Sequence, residues 1–201
     1  MSDAIGVLSS LFVLVAFGAV LPVETTLIEV RDHSHDVVNN LLTGFPSPAL
    51  AGTLSAVSAA DGLIAVSPIF NASYSGLFKS FFDVLDESAL LDKPVLLAAT
   101  GGTARHSLAL EHALRPMFTY MRATVVPTSV FAAPEDWAGA GGGSGSGALA
   151  GRIERAAREL ADQMLRREPG PEPDPAPRRL AEDRRAGRVD RRALHHRHDR
   201  A

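Results

Sequence analysis

Short apolar runs separated by stretches of helical period constrain this chain more than any other feature. "TLIEV" (Thr26 to Val30), "GLIAVS" (Gly62 to Ser67), "PVLLAAT" (Pro94 to Thr100) and "ATVVPTSVFAA" (Ala123 to Ala133) are branched or wholly apolar. That is the pattern of strands buried on both faces rather than on one. Between them lie "PALAGTLSAVSAA", "SGLFKSFFDVLD" and "RHSLALEHALRPMFTYM", each long enough for a crossover helix, and "GRIERAARELADQML" follows the last run. Strands alternating with helices in this way predict an α/β fold, a doubly wound parallel sheet with helices on both faces.

Bulk properties narrow the function. A chain of 201 residues with 46% hydrophobic composition buries one good core. Its net charge of -3 argues against a general nucleic-acid surface, and no nucleic-acid partner is expected. With no cysteine there is no disulfide framework, no thiolate zinc site and no thiol redox couple. Electron chemistry in such a chain belongs to a bound cofactor. From Glu168 onward, Pro, Arg and acidic residues dominate and large apolar residues almost vanish, so residues 168–201 read as a disordered tail. His195, His196 and His198 lie in that tail and read as an incidental cluster; no metal is expected. "AGAGGGSGSGA", Ala138 to Ala148, reads as a flexible loop. The organisation expected is an atypical apolar segment over 1–22, one domain over 23–167, and the tail.

In open α/β sheets ligands bind beyond the carboxyl ends of the strands, near the point where strand order reverses. Two stretches fall there. One is the Pro68 to Ser75 loop, with its proline, aromatics, amide and hydroxyls; the other is "TGGTARH", Thr100 to His106. Adjacent glycines let backbone approach a flat ligand and aim amide N–H groups at it, although Gly-Gly after a strand is also ordinary turn chemistry.

"SPIFNASYSGLFKSFFDVLD" followed by "LDKPVLLAATGGTARHSLALEHALRP" resembles the NAD(P)H-dependent FMN reductases of flavodoxin-like fold, in particular the reductase partners of two-component flavin monooxygenases. The shared pattern, S/T-P-x-x-x-A-S-Y-S/T-G-x-x-K, then A-T-G-G-S/T-x-x-H-x-L-A, then A-L-K/R-P, runs through Ser67 to Pro116, with weaker likeness over Val23 to Phe131. The resemblance implies an oxidoreductase that binds FMN and takes hydride from NADPH or NADH, supplying reduced flavin to a monooxygenase, and a homodimer or homotetramer in the cytoplasm. It assigns Pro68, Phe70, Asn71, Ser73, Tyr74 and Ser75 to the loop along the flavin ring and ribityl chain. Thr100, Gly101, Gly102 and Thr103 fall in the loop facing the polar edge of the ring. No side-chain general base is implied, because positioned ligands suffice. A quinone reductase is the near variant of this reading.

Several single residues carry two readings. Lys79 is a surface lysine or a group reaching a phosphate or partner subunit; His106 is a site residue or a cap for the following helix. Pro116 falls inside an apolar helical period, which predicts a bulge or kink that frees the carbonyl of His112. Relatives in the sulfonate-linked branch often carry tyrosine where this chain has His112. Asn71-Ala72-Ser73 has the form of a glycosylation sequon, which a cytoplasmic loop does not use.

The amino end departs from the family pattern of a strand followed by a phosphate-cradling loop at a helix amino terminus. Ile5 to Val23 is uncharged, Ser9 and Ser10 are its hydroxyls, and no arginine precedes Arg31. A first strand and phosphate loop are therefore expected to be atypical or incomplete. Two alternatives follow: a membrane anchor through residues 5–23, or a flavodoxin-like binding module without turnover.

Overall fold

The computed structural model describes residues 23–137 and 144–167. The apolar segment over 1–22, the first part of the Gly/Ser stretch and the tail, with its histidines, lie outside the described residues.

Strand β1 (Leu63–Phe70) pairs in parallel with β3 (Pro94–Thr100), and a hairpin strand β2 (Ser73–Tyr74) turns back antiparallel on the end of β1. On the other side of β3, β4 (Thr124–Val125) pairs with its start and β5 (Val130–Ala132) with its end, both in parallel. The expected fourth run is thus one interrupted strand. β3 is apolar up to Thr100 because both its faces are covered: Val95, Leu97 and Ala99 enter one core, Leu96 and Ala98 the other.

The first core lies under α1 (Ser34–Thr43), α2 (Pro48–Ala59), α3 (Gly76–Asp83) and α4 (Arg115–Tyr120). α2 begins where Ser47 accepts from the amide of Leu50 at 3.2 Å with Pro48 in the first turn. α1 stops at Gly44, whose φ of 82° needs a glycine. α3 buries Phe78, Phe81 and Phe82, at spacing i, i+3, i+4; the rings of Phe78 and Phe82 pack with Phe118 of α4 at centroid distances of 6.2 and 4.9 Å, and Phe81 packs edge-on against Phe82. Each such ring contributes roughly 1.5 to 3 kcal/mol of burial. The second core is covered by α5 (Ser144–Arg166), which lays Leu149, Ile153, Ala156, Ala157, Leu160 and Ala161 on β3, β5 and Val126.

The flavodoxin-like expectation of a parallel sheet with helices on both faces is met. Three local expectations are corrected. Thr26 to Val30 is not a strand: residues 23–29 are irregular and Val30–His33 forms a 3-10 turn. β propensity makes a strand only where a ladder partner exists, and none of the described strands pairs with this segment. The Gly/Ser stretch is not loop throughout, because α5 starts at Ser144 inside it. The Pro68 to Ser75 stretch is a hairpin rather than an open loop.

The expectation for Pro116 is realised by a π-helical turn, Leu110–Leu114, in which the amide of Arg115 reaches back to the carbonyl of Leu110. Pro116 then enters the first turn of α4, where its missing N–H is least costly. Among the described residues, no helix is long and apolar enough to cross a membrane.

Candidate active site

The site is built at the carboxyl ends of two neighbouring strands. Pro68 of β1 and Thr100 of β3 are direct register partners, so the hairpin that follows one and the glycine loop that follows the other emerge side by side.

The hairpin is held from below by Ser67, which is fully buried. Its hydroxyl accepts from the amide of Ser75 at 3.0 Å and donates to the carbonyl of Pro68 at 2.9 Å. A lone hydroxyl in an otherwise apolar run was the sequence signal for this stitch. Ile69 pairs with Tyr74 and Phe70 with Ser73, leaving Asn71 and Ala72 as a two-residue turn at φ of 49° and 66°. Asparagine tolerates that left-handed conformation; alanine is strained in it. Phe70 is 57% exposed at the tip, Tyr74 is half-buried beside the Phe78 ring, and Ser75 caps α3 by accepting from the amide of Phe78 at 3.2 Å. The hairpin residues singled out from the sequence are therefore brought together, with Ser75 also engaged as a helix cap. Lys79 lies one turn further and pairs with Asp83, as a surface lysine would.

Thr100 ends β3, and the amide of Gly101 continues the ladder by donating to the carbonyl of Ala132 at 3.1 Å. A Cβ on Gly101 would stand 2.8 Å from Cζ of Phe131, so this position is glycine because an aromatic ring occupies the space. Gly102 differs: a Cβ there would meet nothing within 4 Å. Its backbone faces open space, and among the described residues neither its amide nor that of Thr103 has an acceptor. Thr103 caps the 3-10 turn Ala104–Ser107 by accepting from the amide of Arg105 at 3.4 Å. Phe131 was not anticipated as a site residue. It lies within a run read only as strand, and its role shows only through the packing against Gly101.

The floor is fixed from both sides. Asp136 accepts from the amide of Ala133 at 2.9 Å and from Arg152 of α5 at 2.8 Å, while Arg152 also donates to the carbonyl of Phe131 at 3.2 Å. Arg115 clamps the π turn to the β4–β5 connection through Glu111, the carbonyls of Val126 and Pro127, and Ser129. The Arg115 hydrogen bonds hold the Glu111 carboxyl below its ordinary range.

A turn with two amides unpaired among the described residues, beside an open glycine and an exposed aromatic, suits a flat ligand with a polar edge. Comparison with known proteins gives that ligand a family context. Residues 9–138 match the model of the family described as NADPH-dependent FMN reductase. A Pseudomonas aeruginosa FMN reductase (NADPH) is 41% identical over 60% of this chain and 64% of its own length. An NADH-dependent FMN reductase of Pseudomonas fluorescens is 42% identical over 59% of this chain and 63% of its own. The chain thus spans just under two thirds of the length of these two curated relatives. The X-ray structure of an oxidoreductase from Corynebacterium diphtheriae superposes with a TM-score of 0.70 at 44% identity, covering 79% of this chain and 86% of that one. With well over half its length inside the family model, on a sheet that carries both family loops at neighbouring strand ends, the chain belongs to the NADPH-dependent FMN reductase family.

Proposed function

We propose that this chain is an NAD(P)H-dependent FMN reductase whose flavin site is formed by the Pro68–Ser75 hairpin and the Thr100–Thr103 loop. The observation that carries the reading is the Pro68–Thr100 register, which sets the two family loops against each other. The amides of Gly102 and Thr103, without an acceptor among the described residues, are donors for the polar edge of an isoalloxazine, and fixed N–H dipoles there would favour the negative charge that reduction leaves on that edge. Phe70, Asn71, Ser73 and Tyr74 line the hairpin side, Pro68 and Ser75 its base, and Thr100 and Gly101 the floor. A flavin held by these residues would supply the redox chemistry as the acceptor of hydride from NADPH or NADH. The protein's own work is to orient two flat ligands, and no side-chain base takes part. Delivery of reduced flavin to a monooxygenase, in a homodimeric or homotetrameric reductase, is the role that the sequence resemblance supports.

Anaerobic titration with FMN followed by flavin fluorescence, then addition of NADPH or NADH, tests this. Binding followed by bleaching of the flavin absorbance is expected. Binding without bleaching would make the chain a binding module, and no binding would remove the site.

A further inference from the structure

His106 presents a feature that the capping reading does not explain. It lies in the 3-10 turn below the glycine loop, with its amide donating to the carbonyl of Thr103 at 3.1 Å. Its Nδ1 is buried and has no hydrogen-bond partner among the described residues, so the ring does not cap the following helix through that atom. Its Cβ lies 3.4 Å from where a Cβ on Gly101 would stand, which packs the base of the imidazole against the glycine turn. Nδ1 is the ring nitrogen nearer that base. Whichever tautomer is present, an unpaired buried nitrogen raises the free energy of the ligand-free state.

We propose that His106 is a positioning residue for the Thr100–Thr103 loop, its Nδ1 gaining a hydrogen-bond partner when a flavin ring is seated there. The proposal rests on the flavin reading of this loop and adds a side chain to it. Pairing that exists only in the liganded state returns the cost of the orphaned nitrogen as affinity, so the ligand-free protein gains nothing from the imidazole's polarity. The nearest loop groups are already engaged: Thr103 Oγ1 accepts from the amide of Arg105 and the amide of Gly101 donates to Ala132, so neither satisfies the imidazole in the ligand-free protein.

The test compares His106→Asn, whose amide places a polar atom near the Nδ1 position, with His106→Gln, which reaches the Nε2 position, and His106→Leu, which keeps bulk alone. Riboflavin and FMN affinity are read by fluorescence titration, and melting temperature with and without flavin. Expected is at least tenfold weaker binding in the Leu and Gln variants, binding within about threefold of wild type in the Asn variant, and a ligand-free melting temperature in the Leu variant no lower than wild type. Equal affinity in all variants overturns the proposal, as does an Asn variant that fails to restore binding. A Leu variant that is destabilised without ligand makes His106 a packing residue and overturns it too. Failure of the wild-type protein itself to bind either flavin would count against the flavin reading of the loop rather than against His106 alone.

Discussion

Gly101 and Gly102 look alike in the sequence and do different work. Neither needs a left-handed backbone, since Gly44 is the only described glycine at positive φ. Gly101 is small because the Phe131 ring stands over it, and Gly102 is small because its outer side faces open space where the ligand is proposed to lie. Gly102→Val should therefore leave the melting temperature unchanged and weaken flavin binding more than tenfold. Gly101→Val should lower the melting temperature by several degrees, because its Cβ meets the Phe131 ring. Differential scanning fluorimetry beside a flavin titration separates the two, and identical behaviour of the pair would refute the distinction. Ala72 offers the opposite case. A left-handed alanine costs roughly 1 to 2 kcal/mol, of which glycine's extra freedom in the unfolded chain cancels about 0.5 to 1. Ala72→Gly should raise the melting temperature by about 2 °C in thermal unfolding, and a fall would mean that the methyl group packs usefully.

Elements here are joined by polar groups that the sequence pattern did not advertise. Lys93, at the foot of β3, is 1% exposed, and its ammonium donates to the carbonyls of Val57 at 3.0 Å, Ser58 at 2.9 Å and Ala60. Those carbonyls are the unsatisfied end of α2, so one cation both caps that helix and fastens it to the sheet. Burial, with a smaller push from Arg167, brings its pKa from 10.5 to about 8. The unfolded chain then holds more protons than the folded one between these values, and stability climbs as pH rises through that window. The full gain is on the order of 3 kcal/mol. Urea unfolding of wild type and Lys93→Met at pH 7.5 and 10 should show the variant less stable at both and lacking this rise. A variant that tracks wild type across the window would show that the lysine titrates normally. What was legible at this scale followed apolar period: β1, β3, α2 and α3 lie where the pattern put them. α1 escaped notice because its buried face is built from Val37 and the polar Asn40 rather than from a run of large apolar residues.

At the scale of the molecule, the sheet was legible because β3 is apolar on both faces, a demand that few other folds make of a strand. The paired loops were legible as a family motif, whereas Phe131 and the orphaned His106 nitrogen emerge only when distant segments are brought together. Thr26 to Val30 failed as a strand for the complementary reason: its composition suits a ladder that the described sheet does not offer it. The same logic bears on how the whole chain should treat its flavin. FMN carries a phosphate dianion, usually held by several charge-assisted contacts worth about 1.5 to 3 kcal/mol each. In this chain the segment ahead of the domain is apolar from Ile5 to Val23, its hydroxyls are Ser9 and Ser10, and no arginine precedes Arg31. The two described loops are proposed to act on the ring, and ring contacts do not depend on the phosphate. Losing two phosphate contacts would cost on the order of a hundredfold or more in affinity, which removes most of the advantage of FMN over riboflavin. The 201-residue chain should therefore bind FMN and riboflavin with similar dissociation constants in parallel fluorescence titrations, and reduce either only at high flavin concentration. A preference for FMN of tens of times would show that the chain does hold the phosphate, through residues 1–22 or through side chains outside the two loops.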